Sequence, residues 1–127
     1  MAIQFNHFIW HARDSRAAAR WLTDLFGLPP PRPFGPFMTV DTSNGVSLDF
    51  IDADGEVPSQ HYAFLVSDQE FDAIYARIRE RNISHWADPA RTQPGEINHH
   101  FGGRGVYFVD PDGHFLEIIT NPYGKTL

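Results

Sequence analysis

Apolar and polar residues first alternate between Ile3 and Trp10, a stretch rich in β-branched and aromatic side chains that predicts a strand. From Ala18 the period lengthens. Ala18, Trp21, Leu22, Leu25 and Phe26 fall on one helical face, Asp14 or Ser15 can cap its start, and Gly27 supplies a left-handed stop. The proline-rich stretch Pro29–Pro36 predicts an ordered loop. Beyond it, Phe37–Asp41 and Val46–Ile51 alternate again and predict a hairpin around Ser43-Asn44-Gly45.

The same order then repeats. Gln60–Val66 predicts a strand, and Ser67-x-x-Glu70 is a capping box opening a helix with the apolar stripe Phe71, Ile74, Tyr75 and Ile78. Asn82 ends that helix, Ile83–Ala87 begins another strand, and Gly105–Val109 with Phe115–Thr120 makes a hairpin across Asp110-Pro111-Asp112-Gly113. The turn is a strong signal, because Pro111 presets φ and Gly113 accepts a positive φ. The chain therefore reads as α+β, a single domain over residues 1–127 made of two βαβββ modules at about 1–55 and 56–127. His7 and His61 hold matching places on the first strands, and Asp49 and Glu117 on the last strands. The histidines are 54 residues apart and the carboxylates 68, which places an insertion in the second module, within 88–104.

Strand alternation sorts these residues by face. Phe8 and Trp10, Leu48 and Phe50, Tyr62, Phe64 and Val66, and Leu116 and Ile118 form apolar sets able to cover the helices. His7, Asp49, His61 and Glu117 lie on the opposite face each time. That shared face is the candidate site.

Composition narrows what the site can be. An apolar content of 42% and an aromatic content of 14% in 127 residues fit one domain with a real core and exclude extensive disorder. The formal charge of −6 comes without any concentrated basic footprint, which argues against a nucleic-acid partner. No apolar run is long enough to span a bilayer and Met1–Trp10 has no basic leader, so no membrane association and a cytoplasmic location are expected. Cysteine is absent. Disulfides, thiolate metal sites and a cysteine nucleophile are therefore excluded, and any metal must be held by nitrogen and oxygen.

Three segments, Asn6-His7-Phe8, Gln60-His61-Tyr62 and the run Val109-Asp110-Pro111-Asp112-Gly113-His114-Phe115-Leu116-Glu117-Ile118, carry a resemblance to a known family. Over essentially its whole length the chain resembles the vicinal oxygen chelate superfamily, which groups glyoxalases, bleomycin-resistance proteins and extradiol dioxygenases. The resemblance implies two modules curling into a cup-shaped mixed sheet, with His7, His61 and Glu117 as ligands of one divalent ion (Fe, Mn, Zn, Ni or Co). It further implies a small-molecule substrate and a homodimer. Two imidazoles and a carboxylate leave coordination positions open, so a metal held this way can clamp vicinal oxygens of a substrate.

Other candidates divide the possible reactions. Tyr107 lies ten residues before Glu117, the offset of the catalytic tyrosine in extradiol members, while alternation alone leaves its face open. His100, with His99, precedes that strand and is a candidate acid or base. Asp49 holds the place of a longer Glu ligand in glyoxalase I-like members and is a candidate substrate contact. Arg104, between glycines, is a candidate clamp for a carboxylate or phosphate, and Tyr123 in the tail a candidate to close over the cup. Trp86, Phe101 and Phe108 are candidate wall residues, whereas His11, His85 and His114 read as structural. Two departures matter. Where extradiol members carry a His on the first module's last strand, this chain has Ser47 and Asp49, which argues against ring cleavage. Fosfomycin-modifying members carry a Thr two residues after the first His and an Arg soon after the Glu. This chain has Ile9 and no such Arg.

The leading expectation is a metal-dependent lyase, isomerase or dioxygenase acting on a small oxygen-rich metabolite. The alternative is a metal-independent drug-binding protein of the bleomycin-resistance type, which the acidic balance and aromatic content would suit.

Overall fold

The first module folds as β1 (His7–Ala12), α1 (Ser15–Phe26), β2 (Arg32–Phe34), β3 (Phe37–Asp41) and β4 (Ser47–Asp52). Its mixed sheet has the order β1-β4-β3-β2, with β1 parallel to β4 and the other pairs antiparallel. The second module repeats this plan with β5 (His61–Leu65), α2 (Asp68–Glu80), β6 (His85–Trp86), β7 (Gly105–Val109) and β8 (Phe115–Ile119), in the order β5-β8-β7-β6. The computed structural model describes residues 2–122 and divides into two compact units, one ending at Pro58 and the next starting at Ser59.

Local chemistry explains the elements. Asp14 caps α1 by accepting the Ala17 N–H, and Gly27, at φ 70°, closes it with its own N–H on the Thr23 carbonyl. The face of α1 that is buried is Ala18, Ala19, Leu22 and Leu25, so Trp21 and Phe26 sit at its margin. In α2 the capping box is complete: Ser67 accepts the Glu70 N–H, and the Glu70 carboxylate accepts the Ser67 N–H. Phe71, Ile74 and Ile78 are buried beneath it, while Tyr75 is half-buried.

Each unit has its own core. In the first, Trp10 and Phe50 are side by side on neighbouring parallel strands, rings stacked at 4.7 Å. In the second, Val106, Phe108, Leu116 and Ile118 are fully buried with the stripe of α2. Truncating one of the large rings to Ala would cost on the order of 3–5 kcal/mol.

Three elements differ from the pattern-based reading. Strand β1 starts at His7 rather than Ile3, because its parallel partner begins only at Ser47; Ile3 and Phe5 are exposed. The proline-rich stretch contains a short edge strand, β2, where the N–H that Pro33 lacks is not needed by the sheet. Strand β6 is reduced to two residues, because Trp86 also bridges to Pro94 and the chain turns away.

Candidate metal centre

Register places Glu117 and Tyr107 side by side in one row of the second module's sheet. Ala63 lies opposite Glu117 on β8, Glu117 opposite Tyr107 on β7, and Tyr107 opposite Trp86 on β6. His61 and Phe115 form the adjacent row of the same face. Strand β8 is central in its sheet, so the Glu117 carboxylate is only 1% exposed, whereas the His61 ring stands at the edge, about half-exposed. Nε2 of His61 lies 3.2 Å from Oε1 of Glu117.

The tautomer follows from the other ring nitrogen. Nδ1 of His61 is 2.9 Å from the Phe115 carbonyl oxygen, which can only accept, so Nδ1 donates there. The lone pair of a neutral ring then rests on Nε2 and points at a carboxylate that is also an acceptor. Two acceptors in that position are reconciled by a proton shared between them or by a metal ion. A backbone carbonyl on the far nitrogen is the usual support for a metal-binding imidazole.

In the first module the histidine is supported by a neighbouring side chain instead. Nδ1 of His7 lies 2.7 Å from Oδ1 of Asn6, which orients the ring and leaves Nε2 for another partner. A pocket of about 210 Å³ beside it is lined by Asn6, His7, Arg32, Thr39, Ser47 and Asp49 among others. Asp49 is nearly buried and accepts the Thr39 hydroxyl at 2.9 Å from the next strand. Arg32 is paired with Asp41 at 3.0 Å. That pair raises the Arg32 guanidinium above its ordinary value and, with the Ser47 hydroxyl, holds the Asp41 carboxyl below its own.

The remaining candidates separate. Tyr107 is resolved onto the site face, nearly buried, its ring stacked on Phe115 at 5.3 Å and on His61 at 6.1 Å. Phe108, expected as a wall residue, points the other way and is fully buried, since it alternates with Tyr107. His100 is exposed on a single 3-10 turn, His100–Gly102, edge-on to the exposed Phe101. Arg104 reaches α2, bonding Asp72 at 2.7 Å and Asp68 at 2.9 Å with its guanidinium over Phe71, and both carboxylates raise its ordinary value. Tyr123 lies outside the described residues. Among the described residues no group of three His, Cys, Asp or Glu side chains is gathered as a metal-holding cluster. The structure thus brings His61, Glu117 and Tyr107 together, and places His7 with Asp49 in the other unit.

Two residues were not singled out from sequence. One is Arg32, beside His7. The other is Arg91, whose guanidinium lies over Trp86 and Phe115 at 5.0 and 4.5 Å from the ring centres. No local pattern marks either, because both are placed by contacts across turns.

Comparison with known proteins agrees with this architecture. The profile of the Glyoxalase/Bleomycin resistance protein/Dioxygenase superfamily matches residues 4–118. Glutathione transferase FosA of Serratia marcescens is 27% identical over 125 residues, covering 93% of this chain and 81% of that protein. Metallothiol transferase FosB of Shouchella clausii (strain KSM-K16) is 36% identical over 69 residues, 53% of this chain, and the chain spans only 42% of that relative's length. Among solved structures, Oxidase ChaP-H1 superposes with a TM-score of 0.95 at 60% identity, covering 98% of this chain and 100% of that one. Oxidase ChaP-H2 gives a TM-score of 0.95 at 54% identity, with 98% of each chain covered.

Proposed function

This chain belongs to the Glyoxalase/Bleomycin resistance protein/Dioxygenase superfamily, and from that premise we propose that it is a divalent-metal-dependent oxidase of a small oxygen-bearing molecule, with His61 and Glu117 as metal ligands. The observation that carries the reading is the approach of His61 Nε2 to Glu117 Oε1 at 3.2 Å with His61 Nδ1 already committed to a carbonyl. A donor set of imidazole and carboxylate fits Fe, Mn, Zn, Ni or Co and leaves open positions for a substrate. When bound, such an ion would supply Lewis acidity toward adjacent substrate oxygens and, as iron or manganese, a one-electron couple.

The protein's own residues prepare the site. The Phe115 carbonyl fixes the His61 ring before any ligand arrives, and burial keeps the Glu117 carboxylate away from competing water. Tyr107 places a phenol on the same face, where it can hand a proton to, or take one from, a substrate oxygen. Two oxidases at 60% and 54% identity favour oxidation over lyase or isomerase chemistry.

Oxygen uptake by Fe(II)-loaded protein on a panel of catechols and hydroxyquinones tests the reading, with His61→Ala as the control. Uptake that needs both a panel compound and His61 supports it. Equal uptake by the two proteins would overturn it, as would tight glycopeptide binding by metal-free His7→Ala protein, which would install the sequestering alternative.

A further inference from the structure

Arg91 sits in a tightly hydrogen-bonded turn that follows β6. The chain leaves β6 at Trp86 and returns to it: the Ala87 N–H bonds the Gln93 carbonyl at 3.1 Å, Trp86 bridges to Pro94, and the Gly95 N–H bonds the His85 carbonyl at 2.9 Å. Inside this turn the Asp88 carboxylate accepts the Thr92 N–H and hydroxyl and the Gln93 N–H at 2.6–3.0 Å. Arg91 is thereby held at φ 61°, a left-handed conformation that a non-glycine residue adopts at a cost.

The strained backbone directs the side chain onto the site face. Its guanidinium covers both Trp86 and Phe115, and Phe115 in turn lies 5.8 Å, ring centre to ring centre, from His61. Arg91 therefore stands one ring away from the imidazole that faces Glu117. The other arginines near the candidate residues have acids: Arg32 has Asp41, and Arg104 has Asp68 and Asp72. Arg91 has no carboxylate partner among the described residues. Stacking occupies one face of its plane and leaves the edge, a fork of N–H donors matched to a carboxylate, turned to solvent.

We propose that Arg91 determines specificity at this site by binding the carboxylate of a flat aromatic acid, whose vicinal oxygens point toward His61 and Glu117. The proposal rests on the metal-site reading above for the second half of that placement. The half-exposed His61 ring, set beside Tyr107 and Phe115, suits a flat substrate body, and the guanidinium supplies a positive charge next to it.

The test compares 3,4-dihydroxybenzoate with catechol, which lacks only the carboxylate. Affinities are read by tryptophan fluorescence in zinc-loaded protein, where no oxidation intervenes, and zinc per chain is measured on each sample. Arg91→Asn is the variant of choice, because Asn accepts left-handed backbone. The acid is expected to bind wild type about tenfold or more tighter than catechol, with the preference gone in Arg91→Asn and catechol affinity held within about twofold. A preference that survives Arg91→Asn overturns the proposal while leaving the metal reading intact. If wild type holds no zinc, the metal reading fails, and benzoate against benzamide then decides the role of Arg91 alone. Equal binding of those two sinks it, and a benzoate preference lost in Arg91→Asn sustains it.

Discussion

Glu117 and His61 approach each other at 3.2 Å on neighbouring parallel strands, one carboxylate buried in the centre of a sheet and one imidazole at its edge. A pair of this kind is a weak source of stability in itself, because burying a charge offsets most of what the pairing returns. Its value lies in what it can bind.

Saturating metal should therefore stabilise the wild-type protein far more than the pair does alone. At a free metal concentration of about 100 Kd the expected gain is roughly 2.7 kcal/mol, on the order of 10 °C in Tm. Glu117→Gln should lose most of that increment while its metal-free melting temperature stays close to wild type. A metal-independent Tm, identical in both proteins, would show the pair to be purely structural.

Tyr107→Phe keeps the ring stacked on Phe115 and removes only the hydroxyl. With the phenol as a proton-transfer group, kcat should fall on the order of 10²-fold with little change in KM. Steady-state kinetics on the best compound of the oxygen-uptake panel checks this. Unchanged kcat would reduce Tyr107 to a wall residue.

Arg104→Ala should behave in the opposite way. Its bonds to Asp68 and Asp72 and its seat over Phe71 brace the first turn of α2 against the loop before β7. Exposed ion pairs of this type contribute about 0.2–1 kcal/mol each, so Tm should drop by a few degrees. KM for a carboxylate substrate should stay at its wild-type value; a large rise in KM would restore Arg104 to the site.

Two carboxylates are expected to respond to pH with opposite signs. Hydrogen bonds from Thr92 hold Asp88 below its ordinary value of 3.8, so its contribution is present above that pH and lost as the pH falls through the lowered value. Protection of the Thr92 and Gln93 amides, taken relative to the intrinsic exchange rate at each pH, should fall as the pH drops below 3.8 in wild type, whereas Asp88→Asn should lack that step. Burial pushes Asp110 up from 3.8, against the pull of the His114 N–H, so its contribution is complete below 3.8 and is lost as the pH rises through the raised value. Asp110→Asn keeps an oxygen for the Asp112 and His114 N–H groups. Its Tm should match or exceed wild type at neutral pH, with the difference closing toward pH 4; a variant much weaker at pH 7 would contradict this.

Much of the fold was legible in the sequence because period alone decides face in a strand. His61, Glu117 and the apolar residues flanking them fall where alternation puts them, and the matching order of the two modules survives as matching strand order in two sheets. The face of Tyr107 was not legible, since both neighbours and the residue itself are apolar or aromatic; only register against Glu117 fixes it. Arg91 was hidden for a different reason. Its position depends on the Asp88 carboxylate gathering a turn and on a positive φ, neither of which leaves a periodic trace. Arg104 was misleading in isolation, because the acids that engage it lie on α2, distant in sequence but one turn apart on the helix.

The most direct test is metal content. Protein purified from cells grown with mixed divalent metals should carry close to one ion per chain, and His61→Ala and Glu117→Ala should each fall below about a tenth of that while remaining folded. Wild-type protein without bound metal, or variants that keep their full complement, would contradict the assignment.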